Sequence, residues 1–246
     1  QVNDELNAMA GGLIGIYVNN EHSEEEVYFD SDDFEAIKEK VPGVKGVTPV
    51  YTMYGSAIGK KGEFTAYASG GTESMEFYQS EPIIAGHYFT ASDYYSGNKV
   101  CVVPEQAAKK MFGTTDVVGL TIEVTLYGTT QDLRIVGVRQ DSAAAMFSMY
   151  GDMINIELPL SVLSASYGLY FGEFTDFMII SDSPAESVQV AQSSINLLEG
   201  RHNVRGKGVI QVQNMQDQIS EINSVLGSIS IFVVIVAAIS LLVGGI

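Results

Sequence analysis

Cysteine, histidine and basic residues are all scarce in this 246-residue chain, and each scarcity excludes a class of function. The single cysteine, Cys101, cannot close an internal disulfide or build a structural cysteine metal site, and its place in the apolar run "KVCVVP" suggests a buried, inert thiol. The three histidines, His22, His87 and His202, stand at no metal-ligand spacing from one another or from Cys101, so no metal centre is expected. Thirteen Lys and Arg against 30 Asp and Glu give a formal net charge of -17. The clustered cations that phosphate backbones require are lacking, which argues against nucleic acid. Such acidity also argues against the cytoplasmic side of a membrane, where the leaflet is anionic and flanking loops favour basic residues.

No GxxxxGK[ST] loop occurs, and "SGGT" lacks both the lysine and the strand-to-helix setting, so no ATP or other cofactor site is expected. "GHYFTASD" sets His87 near Ser92 and Asp93, yet a catalytic triad needs a base that the fold orients on a nucleophile. The 13 tyrosines are dispersed and accompany no basic groove, which suits packing better than base stacking. The expectation is a chain with no catalytic, cofactor-binding or metal-ligating residues, and not an enzyme.

What the chain does have is a long apolar close. From about Ser224 to Ile246 runs a stretch of about 22 uncharged residues, ending "AAISLLVGGI", enough to span a hydrocarbon layer that needs about 20. A chain that begins with Gln1 and stops inside such a run is expected to be a segment of a longer protein. Ahead of the run, "NMQDQISEINSVLGSIS" offers Asn214 as a helix cap and a stripe of Met215, Ile219, Ile222, Leu226 and Ile229. At the other end Val2, Leu6 and Met9 recur at helical spacing before Gly11 and Gly12. The two stripes could pack side by side as a stalk, with helices over 1–10 and 214–228 and a membrane segment starting at 229.

Between the stalk segments two strand-helix-strand units stand apart. In the first, "LIGIYV" reads as a strand and "NNEHSEEEVYFD" as a solvated acidic loop, since neither its spacing nor a glycine turn fits calcium. "SDDFEAIKEKV" follows as a helix capped by Ser31 with Phe34, Ile37 and Val41 on one face, and "KGVTPVYTMYGSAI" as a long strand interrupted or bent near Pro49. In the second, "FTDFMIIS" leads to a helix with Ser183 as cap, Pro184 first, Glu186 completing a capping box, and a stripe of Val188, Ala191, Ile195 and Leu198; "VIQVQN" is its second strand. The intervening stretch reads as a mixed α/β insertion: a strand "EFTAYASG", a helical turn "TESMEFYQ", an exposed turn "YYSGN", a strand and helix "KVCVVPEQAAKKMFG" opening at Pro104, and a hairpin around "GTTQ". The fold class expected is therefore α+β, a split ferredoxin-like layer over 11–61 and 159–213 with an inserted subdomain over 62–158.

The order "IIAGHYFTASD", "VCVVPEQAAKKMFG", "DVVGLTIEV", "LRIVGV", "IELPLSVL", "INLLEGRHN" and "AAISLLVGGI" resembles the macrolide-exporter (MacB-type, FtsX-like) ABC transporter permease family over essentially the whole chain. The resemblance implies an extracytoplasmic core domain between the first and second membrane helices, its two βαβ halves forming a porter-like subdomain. It implies a role in passing ATP-driven movement across the cell membrane for export or other outside work. The partners it implies are a cytoplasmic ABC ATPase, fused or separate, a second permease subunit in a homodimer or heterodimer, and a membrane-fusion adaptor protein. The alternative is an extracytoplasmic signalling arm, as in the branch that activates a cell-wall hydrolase, or a receptor's sensory part. The acidity and the "EHSEEE" loop depart from the family pattern, and the cargo is not legible.

Overall fold

The computed structural model describes residues 12–22, 26–142 and 153–213. The stalk positions Val2, Leu6, Met9, Met215, Ile219, Ile222, Leu226 and Ile229, and the apolar close, lie outside the described residues. Among the described residues no helix is long and apolar enough to cross a membrane.

The chain folds around two sheets. The smaller is built from β1 (Leu13–Val18), β2 (Val44–Thr48), β10 (Asp176–Ser181) and β11 (Ile210–Gln213), in the order β11-β1-β10-β2 with every pair antiparallel. Two helices join its strands, α1 (Ser31–Lys40) between β1 and β2 and α5 (Ser187–Arg201) between β10 and β11. Their apolar faces meet the sheet over Ile14, Ile16, Phe34, Ile37, Phe177, Ile179, Val190 and Leu198, all buried. This is the expected pair of strand-helix-strand units, sharing one layer.

The larger sheet contains β3 (Tyr51–Gly59), β4 (Gly62–Gly71), β5 (Ile83–Gly86), β6 (Val100–Pro104), β7 (Thr121–Leu126), β8 (Thr129–Arg139) and β9 (Met153–Pro159). Pairings β3–β4, β4–β9, β9–β6, β6–β8, β8–β7 and β7–β3 close six of these strands into a ring, a small barrel, with β5 added along the end of β8. Alternation along the strands sends Ala57, Ala66, Ala68, Cys101, Ile122, Val124, Leu133, Ile135, Ile154 and Ile156 inward, and the interior is filled with side chains. Around the barrel lie α2 (Ala91–Ser96), α3 (Glu105–Phe112) and α4 (Leu160–Tyr167). The Tyr167 hydroxyl of α4 donates to the Val124 carbonyl at 3.0 Å and ties that helix down.

Several local expectations need correction. The long strand over Pro49 is two strands in two sheets: β2 belongs to the small sheet and β3 to the barrel, so the change of sheet comes at Pro49 rather than at 61. A proline cannot donate to a ladder, and here its position marks where the chain leaves one ladder for another. Asp30, not Ser31, caps α1, exchanging capping-box bonds with Asp33. At the second helix, Ser183 Oγ bonds the Glu186 carboxylate at 3.0 Å instead of capping backbone, and a 3-10 turn (Pro184–Glu186) precedes α5. Val188 is 80% exposed; the buried line of α5 is Val190, Ser194 and Leu198. Tyr94 and Tyr95 sit on α2, capped by Thr90 and ended by Gly97, rather than in a turn. Pro104 is the cap residue of α3, and the β7–β8 hairpin turns at Tyr127 and Gly128, both at positive φ as a tight mirror-image turn requires, not at "GTTQ".

The most demanding core element is polar. Arg139 at the end of β8 pairs with Glu157 of β9 through Nε to Oε1 at 2.7 Å and Nη2 to Oε2 at 2.9 Å, and both side chains are buried. Arg139 Nη1 also donates to the Glu81 carbonyl at 2.6 Å, and the Tyr88 hydroxyl donates to Glu157 Oε2 at 2.6 Å. Burial alone pulls the Arg139 guanidinium down, but Glu157 more than offsets this and holds it above its ordinary pKa. Removing one partner strands a charge. Glu157→Ala is expected to lower unfolding stability by about 3 to 5 kcal/mol, whereas Arg139→Met with Glu157→Leu recovers most of that loss. Denaturant titration of the three proteins checks this; a Glu157→Ala loss below about 1 kcal/mol would show the pair is solvated.

Candidate functional site

The sequence directs attention to where the chain enters and leaves the fold, and the register of the small sheet answers it. Gly15 of β1 stands opposite Gln213 of β11, and Val18 opposite Ile210. Residue 12 and residue 213 therefore lie at the same end of two neighbouring strands. On the other side of β1, Tyr17 pairs with Asp176, the first residue of β10, whereas Thr48, the last of β2, pairs with Met178 and so shares the row of Gly15 and Gln213. The links to and from the barrel thus leave from β2 and β10 on one side of the sheet, while residues 12 and 213 belong to the side formed by β1 and β11.

The joint between sheet and barrel is closely fitted. Thr48 Oγ1 accepts from the Thr72 N–H at 2.9 Å and donates to the Pro49 carbonyl at 2.8 Å, while Thr72 Oγ1 donates to the Val47 carbonyl at 2.8 Å. Both threonines are buried. Gly71 permits this approach, because a Cβ there would lie 2.6 Å from Thr48 Oγ1 and 2.8 Å from the Pro49 carbonyl oxygen. The 3-10 helix Glu73–Tyr78 then lies along β2, with Lys45 Nζ 4.3 Å from the Phe77 ring centroid. On the return path, Phe174 exchanges backbone bonds with Phe29 at 2.8 and 2.9 Å, and Tyr51 of β3 packs its ring against Phe171 and Phe174.

Charged groups reinforce the same joint. Lys38 of α1 contacts Glu73 at 3.0 Å and Glu35 at 3.1 Å, and the Tyr95 hydroxyl of α2 donates to Glu35 at 2.9 Å. Partial burial alone would lower the Lys38 pKa; the two carboxylates outweigh it and hold the ammonium above its ordinary range. Asp33, 1% exposed, receives Arg201 Nε at 2.6 Å and faces His202 Nε2 at 2.8 Å, pinning the start of α1 to the end of α5. Beside this pin lies an open groove of about 710 Å³ whose lining includes Glu26, Asp30, Glu173, Tyr170 and Lys207.

Residues weighed for chemistry are not brought together. His87 Nδ1 lies 2.7 Å from the Tyr88 carbonyl oxygen, and Asp93 bonds Thr90 and Asn98 around the cap of α2. His202 sits on Asp33, and among the described residues no three His, Cys, Asp or Glu side chains are grouped to hold a metal ion. Thr48, Thr72 and the ion pairs escaped sequence reasoning because their partners lie far along the chain. Arg139, a charge closing the apolar run "RIVGVR", was the one visible signal.

This geometry defines a class: a small sheet that carries the first and last described strands at one edge and the links to an inserted barrel at the other. The chain belongs to the MacB-like periplasmic core domain family, whose model matches residues 1–198. The macrolide export ATP-binding/permease protein MacB of Bdellovibrio bacteriovorus is 24% identical over 100% of this chain and 38% of its own length. An uncharacterized ABC transporter permease of Bacillus subtilis, YknZ, is 24% identical over 93% of this chain and 54% of its own. The chain thus spans between about a third and about half of the length of these curated relatives. The crystal structure of the periplasmic region of MacB from Actinobacillus actinomycetemcomitans superposes with a TM-score of 0.64 at 19% identity, covering 91% of this chain and 98% of that one, and shares its mixed α+β fold.

Cys101 faces the barrel interior with no exposed surface, and burial pushes its thiol well above the ordinary range. A thiol reagent at pH 8 is expected to label it only as fast as the barrel opens, so labelling should accelerate steeply in denaturant and stay negligible in buffer. Rapid labelling of the folded chain would show that the barrel admits solvent.

Proposed function

We propose that the chain is the extracytoplasmic domain of an ABC transporter permease, held at the outer face of the cell membrane, that couples cytoplasmic ATP hydrolysis to export by mechanical transmission. The observation that carries this reading is the placement of residues 12 and 213 at the adjacent strands β1 and β11, with the barrel links on the other two strands, β10 and β2, of the same sheet. Movement applied at the chain ends would reach the barrel through a hydrogen-bonded sheet and a buried joint. In this reading the four-stranded sheet and its helices are a ferredoxin-like porter subdomain, and the barrel from Tyr51 to Pro159 is the inserted subdomain. The stripes Val2, Leu6, Met9 and Met215, Ile219, Ile222, Leu226, Ile229 form the paired stalk, and the apolar run to Ile246 begins the second membrane helix. ATP turnover belongs to a cytoplasmic ABC ATPase, fused or separate; a second permease subunit and a membrane-fusion adaptor complete the assembly. The names of the relatives, an exporter fused to an ATP-binding part and a separate permease, support this arrangement.

Two changes in the complete transporter test it. Gly15→Cys with Gln213→Cys introduces a disulfide across neighbouring strands, where a Cβ on Gly15 would lie 3.1 Å from that of Gln213. If both ends move as one body, the oxidised protein keeps parent-like export. Ser224→Pro interrupts the proposed stalk helix at a cost of about 3 kcal/mol or more and should abolish export while ATP turnover persists. Export lost on oxidation, or kept by an inserted Ser224→Pro protein, would overturn the transmission reading.

A further inference from the structure

A cleft opens on the outside of the barrel. Strands β4 and β9 run parallel with Tyr67 opposite Asn155 and Ser69 opposite Glu157. Alternation buries Ala66, Ala68, Ile154 and Ile156 inside and leaves these four on the outer face. Beside them α3 supplies Gln106 and Lys110, one turn apart on its surface; Gln140 follows β8, and Gln79 follows the 3-10 helix Glu73–Tyr78. Together they line a cleft of about 250 Å³.

The Arg139–Glu157 pair belongs to its lining and fixes it. By gripping the carbonyl of Glu81 as well as Glu157, Arg139 clamps the segment that carries Gln79 against the strand that carries Asn155. Arg139 is paired with Glu157, and Lys110 donates to the Met153 carbonyl at 3.3 Å. Most of the remaining lining is carboxamide. Gln106 and Gln140 use only their backbone N–H groups, on Asp141 Oδ1 and the Pro82 carbonyl, and no hydrogen bond among the described residues engages the amide side chains of Gln79, Gln106, Gln140 or Asn155.

We propose that this cleft binds a neutral saccharide. Four carboxamides each present a donor and an acceptor side by side, the pattern that adjacent sugar hydroxyls complement, and Tyr67 adds an aromatic surface for the apolar face of a ring. An extended peptide would need a free strand edge, yet β4 is paired on both sides by β3 and β9, and β9 by β4 and β6.

The full chain in detergent micelles, titrated with chitotetraose, maltotetraose and cellotetraose and followed by calorimetry and saturation-transfer NMR, tests this. At least one sugar is expected to bind saturably, and Gln79→Ala with Asn155→Ala to weaken it about tenfold or more without changing the melting temperature. Val188→Ala on α5 should leave binding unchanged. Failure of all three sugars to saturate, binding of tetra-alanine in their place, or sugar binding that survives the Gln79→Ala, Asn155→Ala change would each overturn the proposal.

Discussion

Because Gly15 stands opposite Gln213 in the β1–β11 ladder, the first and last described strands are neighbours in one sheet. Backbone hydrogen bonds hold that register, and a slip of one residue would turn the buried faces of Ile14 and Ile16 to solvent. The pairing is therefore enforced by the core beneath it. The rest of the described fold follows from this edge: β10 is laid against β1, β2 against β10, and the barrel is linked through β2 and β10.

The sheet and the barrel do not meet as two separately finished bodies. One buried apolar cluster runs from Phe29, Phe34 and Phe177 over the small sheet to Ala57, Ile122 and Leu133 inside the barrel. Thr48 and Thr72 satisfy each other at the crossing, and leaving either without its partner would strand a buried polar group at about 1 to 3 kcal/mol. Lys38, Glu73, Glu35 and Tyr95 add a partly exposed clasp worth less, because solvent screens it. The strength of the joint thus resides in packing and buried bonds, which are stiff, and its surface charges trim the fit.

How much of this could be read from the sequence follows from how local each cause is. Helices α1, α3 and α5, and the strands around Cys101 and Phe177, announced themselves through periodicity and breakers within a few residues. The cap of α1 was displaced by one position, since Asp30 and Ser31 are equally competent capping residues and only the backbone conformation chooses. An interruption or bend at Pro49 was legible, but not the change of sheet there, because the partners of β2 and β3, β10 and β4, lie far apart in sequence. Ring closure is likewise a matter of β7 meeting β3, which no pattern within either strand specifies. The stalk stripes were legible as pattern, but their packing belongs to residues 1–11 and 214–246, outside those described.

Charge shows the same division between what is cheap and what is constrained. The excess of acid is carried largely on the surface, where it favours solubility and discourages adhesion to other anions. Both carboxylates that the fold buries, Asp33 and Glu157, face cations or potential cations at hydrogen-bond distance: Asp33 faces Arg201 and His202, and Glu157 faces Arg139. An unpaired carboxylate at either place would have to be neutralised or desolvated at several kcal/mol. With so few basic residues in the chain, committing two arginines to these positions leaves little positive charge for recognition elsewhere.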